Sequence, residues 1–182
     1  MDRKETALIR KAQQGDRQAI GMIYQESYED IYNYIFYRVS DQQTAEDLSS
    51  EVFIRMIRGL PDYRDRGKPV LAWLYTIARH LVIDHYRSKK SQHVLPLKDQ
   101  LLEDHRPGPG KRIQQEQDGK CFRRALYTLT DDQQDVIIHR FIEQRSTAET
   151  AALLQKSTRA VRSLQHRALR SLEKALVKED CL

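Results

Sequence analysis

A run of positive side chains near the end of the sequence is its clearest chemical feature. Between Lys156 and Lys178 there are seven Lys or Arg residues and a single acid, Glu173. On a helical wheel of about 100° per residue, these cations gather on one side, opposite an apolar stripe. A solvated face usually mixes both signs of charge, so this face suits donation to phosphates and to base edges. The positive side consists of Arg159, Arg162, Ser163, His166, Arg167, Arg170 and Lys174.

Local signals predict the elements that must position this face. Residues 130–133 and 146–149 have the pattern of capping boxes, which satisfy free N–H groups at a helix start. After a tight turn, Ser157 is a suitable N-cap for a long helix from residue 158 to about residue 177. Short helices joined in this way form a helix-turn-helix, whose second helix lies in the DNA major groove.

Position along the long helix separates its polar residues into two predicted groups. Those near the helix start are expected to meet base edges, and those further along to contact phosphates. The first group is Arg162, Ser163, His166 and Arg167, and the second is Arg170 and Lys174. The alternative is a basic surface helix without a ligand. The coincidence of charge and helix-turn-helix spacing favours DNA.

A second candidate nucleic-acid surface lies on residues 69–90. The face predicted to pack inward consists of Trp73, Leu74, Ile77, Ala78 and Leu81. The opposite face consists of Tyr75, Arg79, Val82, Ile83, Tyr86, Arg87 and Lys90. Rings that stack on unpaired bases, interleaved with cations that follow phosphates, are what single-stranded nucleic acid requires. A helix buried on both sides would explain Val82 and Ile83 equally well, and the residues alone leave both interpretations open.

The segment of residues 45–60 combines an apolar stripe with a mixed outer face. The inward stripe is predicted to be Ala45, Leu48, Val52, Phe53, Met56 and Leu60. The outward side carries Asp47, Ser50, Glu51, Ile54 and Arg58. An apolar residue inside a polar rim can form the centre of a protein-binding patch. A single exposed isoleucine is also ordinary on a protein surface, so periodicity does not decide between these interpretations.

Residue spacing gives no support to catalysis or metal binding. The six histidines and the acids show no metal-ligand spacing and no nucleophile–base pair, and GPGK at 108–111 lacks the phosphate-loop pattern. Cys121 and Cys181 belong to no ligand cluster, so we expect no zinc site, a buried thiol at Cys121 and a free thiol at Cys181. No cofactor, no metal and no enzymatic activity are therefore expected.

Composition and periodicity predict an all-α fold of two small helical domains. The 182 residues suffice for two small domains, and apolar residues recur at three- and four-residue spacing. A polar stretch rich in proline and glycine divides the chain into domains at 1–90 and 120–182, joined by a flexible linker at 91–119. The net charge of +5 and the pI of about 9.2 favour a polyanionic partner.

Neither membrane insertion nor secretion is predicted. The mean hydropathy is −0.71. The longest apolar run, at residues 70–75, is far below the roughly 20 residues that a membrane span needs. Residues 1–16 lack the apolar core of a signal peptide, so we expect a cytoplasmic protein.

Three motifs in order resemble the sigma-70 family of RNA polymerase sigma factors, in its extracytoplasmic-function (ECF) group. They are AEDLSSEVFIRM, WLYTIARHLVIDHYR and AVRSLQHRALRSL, and the resemblance extends over residues 20–176. It implies that the first domain is sigma region 2 and the second is sigma region 4. It also implies an alternative sigma factor that binds the β and β′ subunits of core RNA polymerase. Its other partner would be promoter DNA, both duplex and single-stranded.

The resemblance assigns residues to three surfaces. The core polymerase-binding surface is Asp47, Leu48, Ser50, Glu51 and Phe53, with Ile54 added from the helical pattern. The minus-ten surface is Tyr75, Arg79, His80, Ile83, Tyr86 and Arg87. The minus-thirty-five surface is Arg159, Arg162, Ser163, His166, Arg167 and Arg170. Family members are often held by an anti-sigma protein, although no residue of this sequence identifies one.

The sequence departs from the family pattern at three places. The family often has glutamine where Ser50 stands, asparagine where His80 stands, and glycine in the turn at 155–157. The base preference of the minus-ten surface is therefore not carried over. The rival hypothesis is an autonomous helix-turn-helix regulator, which would bind a palindrome as a dimer without polymerase. The sequence lacks a long heptad seam for such a dimer.

Overall fold

The computed structural model describes residues 3–39, 41–65, 67–91, 111–179 and 181, and their regular elements are all helical. The predicted all-α fold is confirmed. The α-helices are α1 (Arg3–Gln13), α2 (Arg17–Val39), α3 (Gln42–Gly59), α4 (Val70–Ser91), α5 (Lys111–Tyr127), α6 (Asp131–Ile137), α7 (Thr147–Leu153) and α8 (Thr158–Lys178). A 3-10 turn at Leu60–Asp62 follows α3, and a π-helical turn at Ile138–Ile142 follows α6.

The N-terminal group, α1 to α4, packs its helices around one apolar core. Asp41 fixes the start of α3, because its carboxylate accepts a hydrogen bond from the Thr44 N–H at 2.7 Å. Pro69 directly precedes α4, where its missing N–H costs nothing. The predicted inward stripe of α3 is buried except for Leu48, which is half-buried.

The C-terminal group, α5 to α8, contains the predicted helix-turn-helix with its caps in place. The capping box before α6 and that before α7 are both formed, and Ser157 accepts from the Ala160 N–H at 3.1 Å. The predicted inward face of α8 is buried throughout, and α8 ends at Lys178, close to its predicted end. Helix α5 begins at Lys111, earlier than the predicted domain start at residue 120. Of the linker predicted at 91–119, residues 92–110 lie outside the described residues, whereas Ser91 ends α4 and residues 111–119 lie in α5.

One buried apolar cluster spans the two groups, and a second, smaller cluster lies within the C-terminal group. Tyr34 of α2 stacks on the His139 ring at a centroid distance of 5.7 Å, and Tyr75 of α4 meets the same ring edge to face at 4.5 Å. Leu126 and Ile138 of the C-terminal group belong to the same buried cluster. We call this arrangement the closed arrangement, and the surface between the two groups the inter-group contact.

Cys121 and Cys181 are joined by a disulfide, with their Cα atoms 6.1 Å apart. The expectation of two separate thiols is therefore wrong. Spacing in the sequence did not reveal the pair, because packing of α5 against the end of α8 brings together residues 60 positions apart.

None of the helices that the structure describes is both long enough and apolar enough to cross a bilayer.

The backbone of the turn before α8 is strained at Gln155. Gln155 has a φ of 55°, a conformation that costs a side-chain-bearing residue about 1 kcal/mol relative to glycine. Its side chain accepts from Lys68 Nζ at 2.7 Å, but this contact is exposed and is expected to add little. Gln155→Gly is therefore expected to raise the thermal unfolding temperature by about 2–4 °C. Gln155→Ala, which loses the same contact and keeps the φ, is the control. Equal melting temperatures for the two variants would contradict backbone strain as the cause.

Candidate nucleic-acid and polymerase interfaces

The positive face of α8 is fully open to solvent. All six residues of the predicted minus-thirty-five surface are exposed, as is Lys174. Leu169, 41 % exposed and absent from both predicted faces, lies at the edge of this face. An apolar side chain among donors can contact the methyl group of thymine. The face therefore offers both kinds of major-groove contact.

Helix α8 is held firmly against α6 and the π-helical turn. The Gln133 amide donates to Ser171 Oγ at 3.2 Å, and Arg140 Nε donates to Gln165 Oε1 at 3.1 Å. Val161 and Ala168 on the inner side are fully buried. A helix fixed in this way presents its outer side chains with little loss of order on binding.

The predicted minus-ten surface of α4 is largely covered by the C-terminal group. Tyr75 is only 4 % exposed and Val82 is fully buried, while His80 and Arg87 are exposed. The remaining members, Arg79, Ile83 and Tyr86, are half-buried. In the closed arrangement, α4 is thus buried on both sides. For α4 to bind nucleic acid, the C-terminal group would have to move away from it.

A buried charge cluster lies at the centre of the inter-group contact. Arg38 of α2 is 2 % exposed and donates to Asp135 of α6, itself 1 % exposed, at 2.7 Å; it also pairs with Asp131. The Tyr34 hydroxyl donates to Asp135 Oδ1 at 2.8 Å. Burial opposes the charged form of Arg38, but Tyr34, Asp135 and Asp131 outweigh burial and raise the pKa of Arg38. These partners offset the cost of burying both charges.

The acids of α6 also engage a predicted DNA-binding residue. Arg79 pairs with Asp132 and with Asp135, each at 2.8 Å, and Asp132 pairs with Lys156 at 3.1 Å. The hydrogen bond from Arg79 is the main cause that lowers the pKa of Asp132, with Lys156 contributing. In the closed arrangement, carboxylates of α6 therefore engage the Arg79 guanidinium, which the sequence predicts to follow phosphates.

A second polar cluster surrounds Glu143 at the edge of the inter-group contact. Its carboxylate accepts from the Tyr75 hydroxyl and from Arg145, each at 2.8 Å, and lies 2.8 Å from His139 Nδ1. Arg145 reaches Asp30 of α2 at 2.6 Å. Burial alone would raise the pKa of Glu143, but the hydrogen bonds from His139, Arg145 and Tyr75 outweigh it and lower that pKa.

Sequence reasoning missed the acids of α6 and their partner on α2. The pattern of Asp131, Asp132 and Asp135 is that of ordinary acids in the first turns of a helix, where negative charge interacts favourably with the helix dipole. One signal was available, since Asp131 and Asp135 are four residues apart and share a face. Nothing local marked Arg38, which lies 97 positions from Asp135.

The outer face of α3 matches the predicted protein-binding patch in part. Asp47, Ser50 and Ile54 are exposed, and Glu51 is half-buried and pairs with Arg55 at 2.8 Å.

Phe53, also predicted to bind polymerase, is only 4 % exposed. Its ring packs against Tyr24 and Tyr28, with centroids 4.7 and 6.1 Å away. In this structure, the Phe53 ring therefore helps to pack α3 against α2. Ile57, half exposed and absent from the prediction, extends the apolar patch instead.

Within the described ranges, no three His, Cys, Asp or Glu side chains are grouped so that they could hold a metal ion.

Two family models match the chain. The model for Sigma-70 region 2 matches residues 23–92, and that for Sigma-70, region 4 matches residues 125–174. Both the α3–α4 surfaces and the helix-turn-helix lie inside these matches. Cys121 and Cys181 lie outside them.

The chain is also similar to curated relatives and shares its fold with a solved structure. The chain is 34% identical over 168 residues to the ECF RNA polymerase sigma factor SigX of Bacillus subtilis, covering 88% of this chain and 86% of SigX. It is 34% identical over 170 residues to the ECF sigma factor BldN of Streptomyces coelicolor, covering 93% of this chain and 64% of BldN's length. CnrH, solved in complex with the cytosolic domain of CnrY, shares the fold with a TM-score of 0.69 at 21% identity, covering 96% of this chain and 97% of CnrH. The chain belongs to the sigma-70 family of RNA polymerase sigma factors, in its ECF group.

Proposed function

We propose that the chain is an alternative sigma factor that binds core RNA polymerase and directs promoter-specific transcription initiation. The observation that carries this proposal is the exposed, one-signed face of α8, which a capped helix-turn-helix presents to solvent. Family membership supplies the context in which such a helix acts. The proposal assigns no bond-making step to this chain, because polymerase forms the phosphodiester bonds.

In this proposal, region 4 comprises residues 120–182 and engages duplex DNA. Helix α8 enters the major groove of the minus-thirty-five element. Arg162, Ser163, His166 and Arg167 meet base edges there, while Arg170 contacts the backbone and Arg159 approaches the groove from the start of the helix. Because α8 is exposed in the closed arrangement, this step requires no prior opening.

Region 2, at residues 1–90, is proposed to capture the opened strand of the minus-ten element. Tyr75 and Tyr86 would stack on unpaired bases, and Arg79 and Arg87 would hold phosphates. Each stacked base contributes about 1–3 kcal/mol, which offsets DNA stacking of about 1.4 kcal/mol per step. The C-terminal group must leave α4 first, so we propose that polymerase holds the two regions apart, with residues 91–119 as the linker. This activity places the chain in the cytoplasm.

Runoff transcription tests the proposal directly. The purified chain, mixed with core polymerase, is expected to start transcripts at defined sites on templates that core alone does not use. Sequencing those transcripts would define the promoter elements. A stable dimer that binds a palindromic operator tightly and leaves polymerase unaffected would instead support the autonomous regulator.

The patch on α3 gives a separate prediction for core binding. The double substitution Ile54→Asp with Glu51→Arg places a charge at the apolar centre of the patch and reverses the sign of a charge on its polar rim. The dissociation constant for core polymerase is therefore expected to rise about tenfold. Binding is measured by fluorescence anisotropy of the labelled chain. The matched control is Met22→Asp with Glu26→Arg on exposed positions of α2, which makes the same changes in charge. Equal affinities for the two double variants would exclude this patch as the docking surface.

A further inference from the structure

Both cysteines of the sequence meet at one end of the C-terminal group. Cys121 lies on α5 and Cys181 follows α8, and they form a disulfide. Since both lie outside residues 125–174, the pair is not part of the region 4 pattern that the family model describes. It is a feature of this chain that the proposed promoter-recognition role does not use.

The backbone geometry at Cys121 and Cys181 suits a disulfide. The Cα separation of 6.1 Å lies within the usual disulfide range, so pairing needs no rearrangement. The Glu179 carbonyl oxygen lies 3.9 Å from Cys121 Sγ and 3.7 Å from Cys181 Sγ. This oxygen can accept from a thiol once the disulfide is reduced. Both residues are half-buried, so neither cysteine is sealed in the core.

Helix α5, which carries Cys121, also touches the N-terminal group. The Arg123 guanidinium lies over the Phe36 ring of α2, 5.3 Å from its centroid. Tyr127 contacts the Tyr86 ring of α4 at a centroid distance of 5.3 Å. The disulfide ties α5 to the end of α8, so α5 can no longer leave the rest of the C-terminal group alone. The contacts that α5 and α6 make with the N-terminal group are then expected to break together.

We propose that Cys121 and Cys181 form a reversible redox switch, in which the disulfide stabilises the closed arrangement and reduction favours opening and polymerase binding. The inference rests on the proposed function, which places the chain in a reducing compartment. Disulfides there are uncommon and usually serve transient or sensing roles.

The redox chemistry balances with a hydroperoxide as oxidant. One thiolate attacks the peroxide, forming a sulfenic acid and releasing hydroxide, or an alkoxide from an organic peroxide. The second thiolate attacks the sulfenic sulfur, so that the S–S bond forms and the S–O bond breaks with loss of hydroxide, which takes up a proton as water. A low-molecular-weight thiol reverses the change by exchange through a mixed disulfide and is itself oxidised to its disulfide.

The test compares the full chain after hydrogen peroxide with the full chain after dithiothreitol. Oxidation is expected to lower the mass by two hydrogens, to reduce the radius of gyration in small-angle X-ray scattering, and to weaken binding to core polymerase at least about fivefold. Cys181→Ser and Cys121→Ser are each expected to bind core like the reduced chain under both conditions.

The outcomes separate the switch from the proposed function. If the cysteines stay unpaired across dithiothreitol redox buffers, or if pairing leaves both the scattering and the core affinity unchanged, the switch is refuted. If the reduced chain does not bind core at all, the proposed function fails instead, and the mass and scattering measurements still report on pairing and closure.

Discussion

Asp135→Ala is expected to open the closed arrangement and to expose the proposed minus-ten surface of α4 in the free chain. The substitution removes the shared hydrogen-bond acceptor of Arg38 and Tyr34, which is also an ion-pair partner of Arg79. Arg38 then stays buried with Asp131 as its remaining carboxylate partner among the described contacts, whereas in an opened chain we expect it to be hydrated. Removing one member of a buried pair costs about 3–5 kcal/mol, which shifts opening on the order of 100-fold or more. Small-angle scattering measures the opening, and binding of a single-stranded minus-ten oligonucleotide measures the exposed surface.

The control for this prediction is Glu29→Ala on the exposed side of α2, which removes the same charge without touching the inter-group contact. Asp132→Ala serves as a graded comparison, because Asp132 is 39 % exposed and its ion pairs are screened by solvent. The expected order of opening is Asp135→Ala, then Asp132→Ala, then Glu29→Ala. An Asp135→Ala chain that keeps its helicity, its compact scattering and its weak oligonucleotide binding would show that this cluster does not hold the two groups together.

The balance of opposing charges explains why this contact suits a reversible state. Arg79 and Lys156 meet Asp132 where both ion pairs remain partly hydrated, so breaking them costs little. Arg38 and Asp135 are fully desolvated, so their separation costs more but returns two charges to water. A polyanion or a polymerase surface can therefore compete for the outer pairs first. We therefore expect the Arg38–Asp135 pair to contribute most of the free energy that opening requires.

The helix-turn-helix was predictable because its signals are local. The two capping boxes, Ser157 and the apolar stripe of α8 each depend on residues within four positions of one another. The structure reproduces the predicted inner face of α8 and leaves its predicted outer face exposed.

The environment of α4 was not predictable, because it depends on distant partners. The outer face of α4 carries both apolar and cationic residues, and the same pattern fits a covered helix and a nucleic-acid surface. The partners that cover Tyr75 and Arg79 lie 68 and 53 positions away. The cysteine pair, 60 positions apart, was missed for the same reason. Long-range pairing leaves no periodic trace in one sequence, whereas a helix face does.

Arg167→Ala and Lys174→Ala are expected to affect DNA binding in different ways. Arg167 lies on the exposed face where base edges are expected, and loss of a base contact costs about 1–3 kcal/mol at the preferred element. We therefore expect holoenzyme with Arg167→Ala to bind its preferred upstream element about 10- to 100-fold more weakly, with a much smaller loss on scrambled DNA. Lys174, further along the helix, is expected to contact a phosphate, so Lys174→Ala should weaken both DNAs alike. Affinities are measured on both DNAs by fluorescence anisotropy over a series of salt concentrations.

Salt dependence separates the two roles independently of any base preference. A variant that lacks one phosphate contact releases one counterion fewer when it binds DNA. Lys174→Ala should therefore reduce the slope of log affinity against log salt concentration by about one. Arg167→Ala should mainly lower the ratio of the affinities for preferred and scrambled DNA, rather than change the salt slope. Arg10→Ala, an exposed arginine on α1, is the control for loss of a positive charge outside region 4. Identical losses for Arg167→Ala and Lys174→Ala on both DNAs, with identical slopes, would mean that α8 follows the backbone without reading bases, and promoter choice would then have to come from region 2.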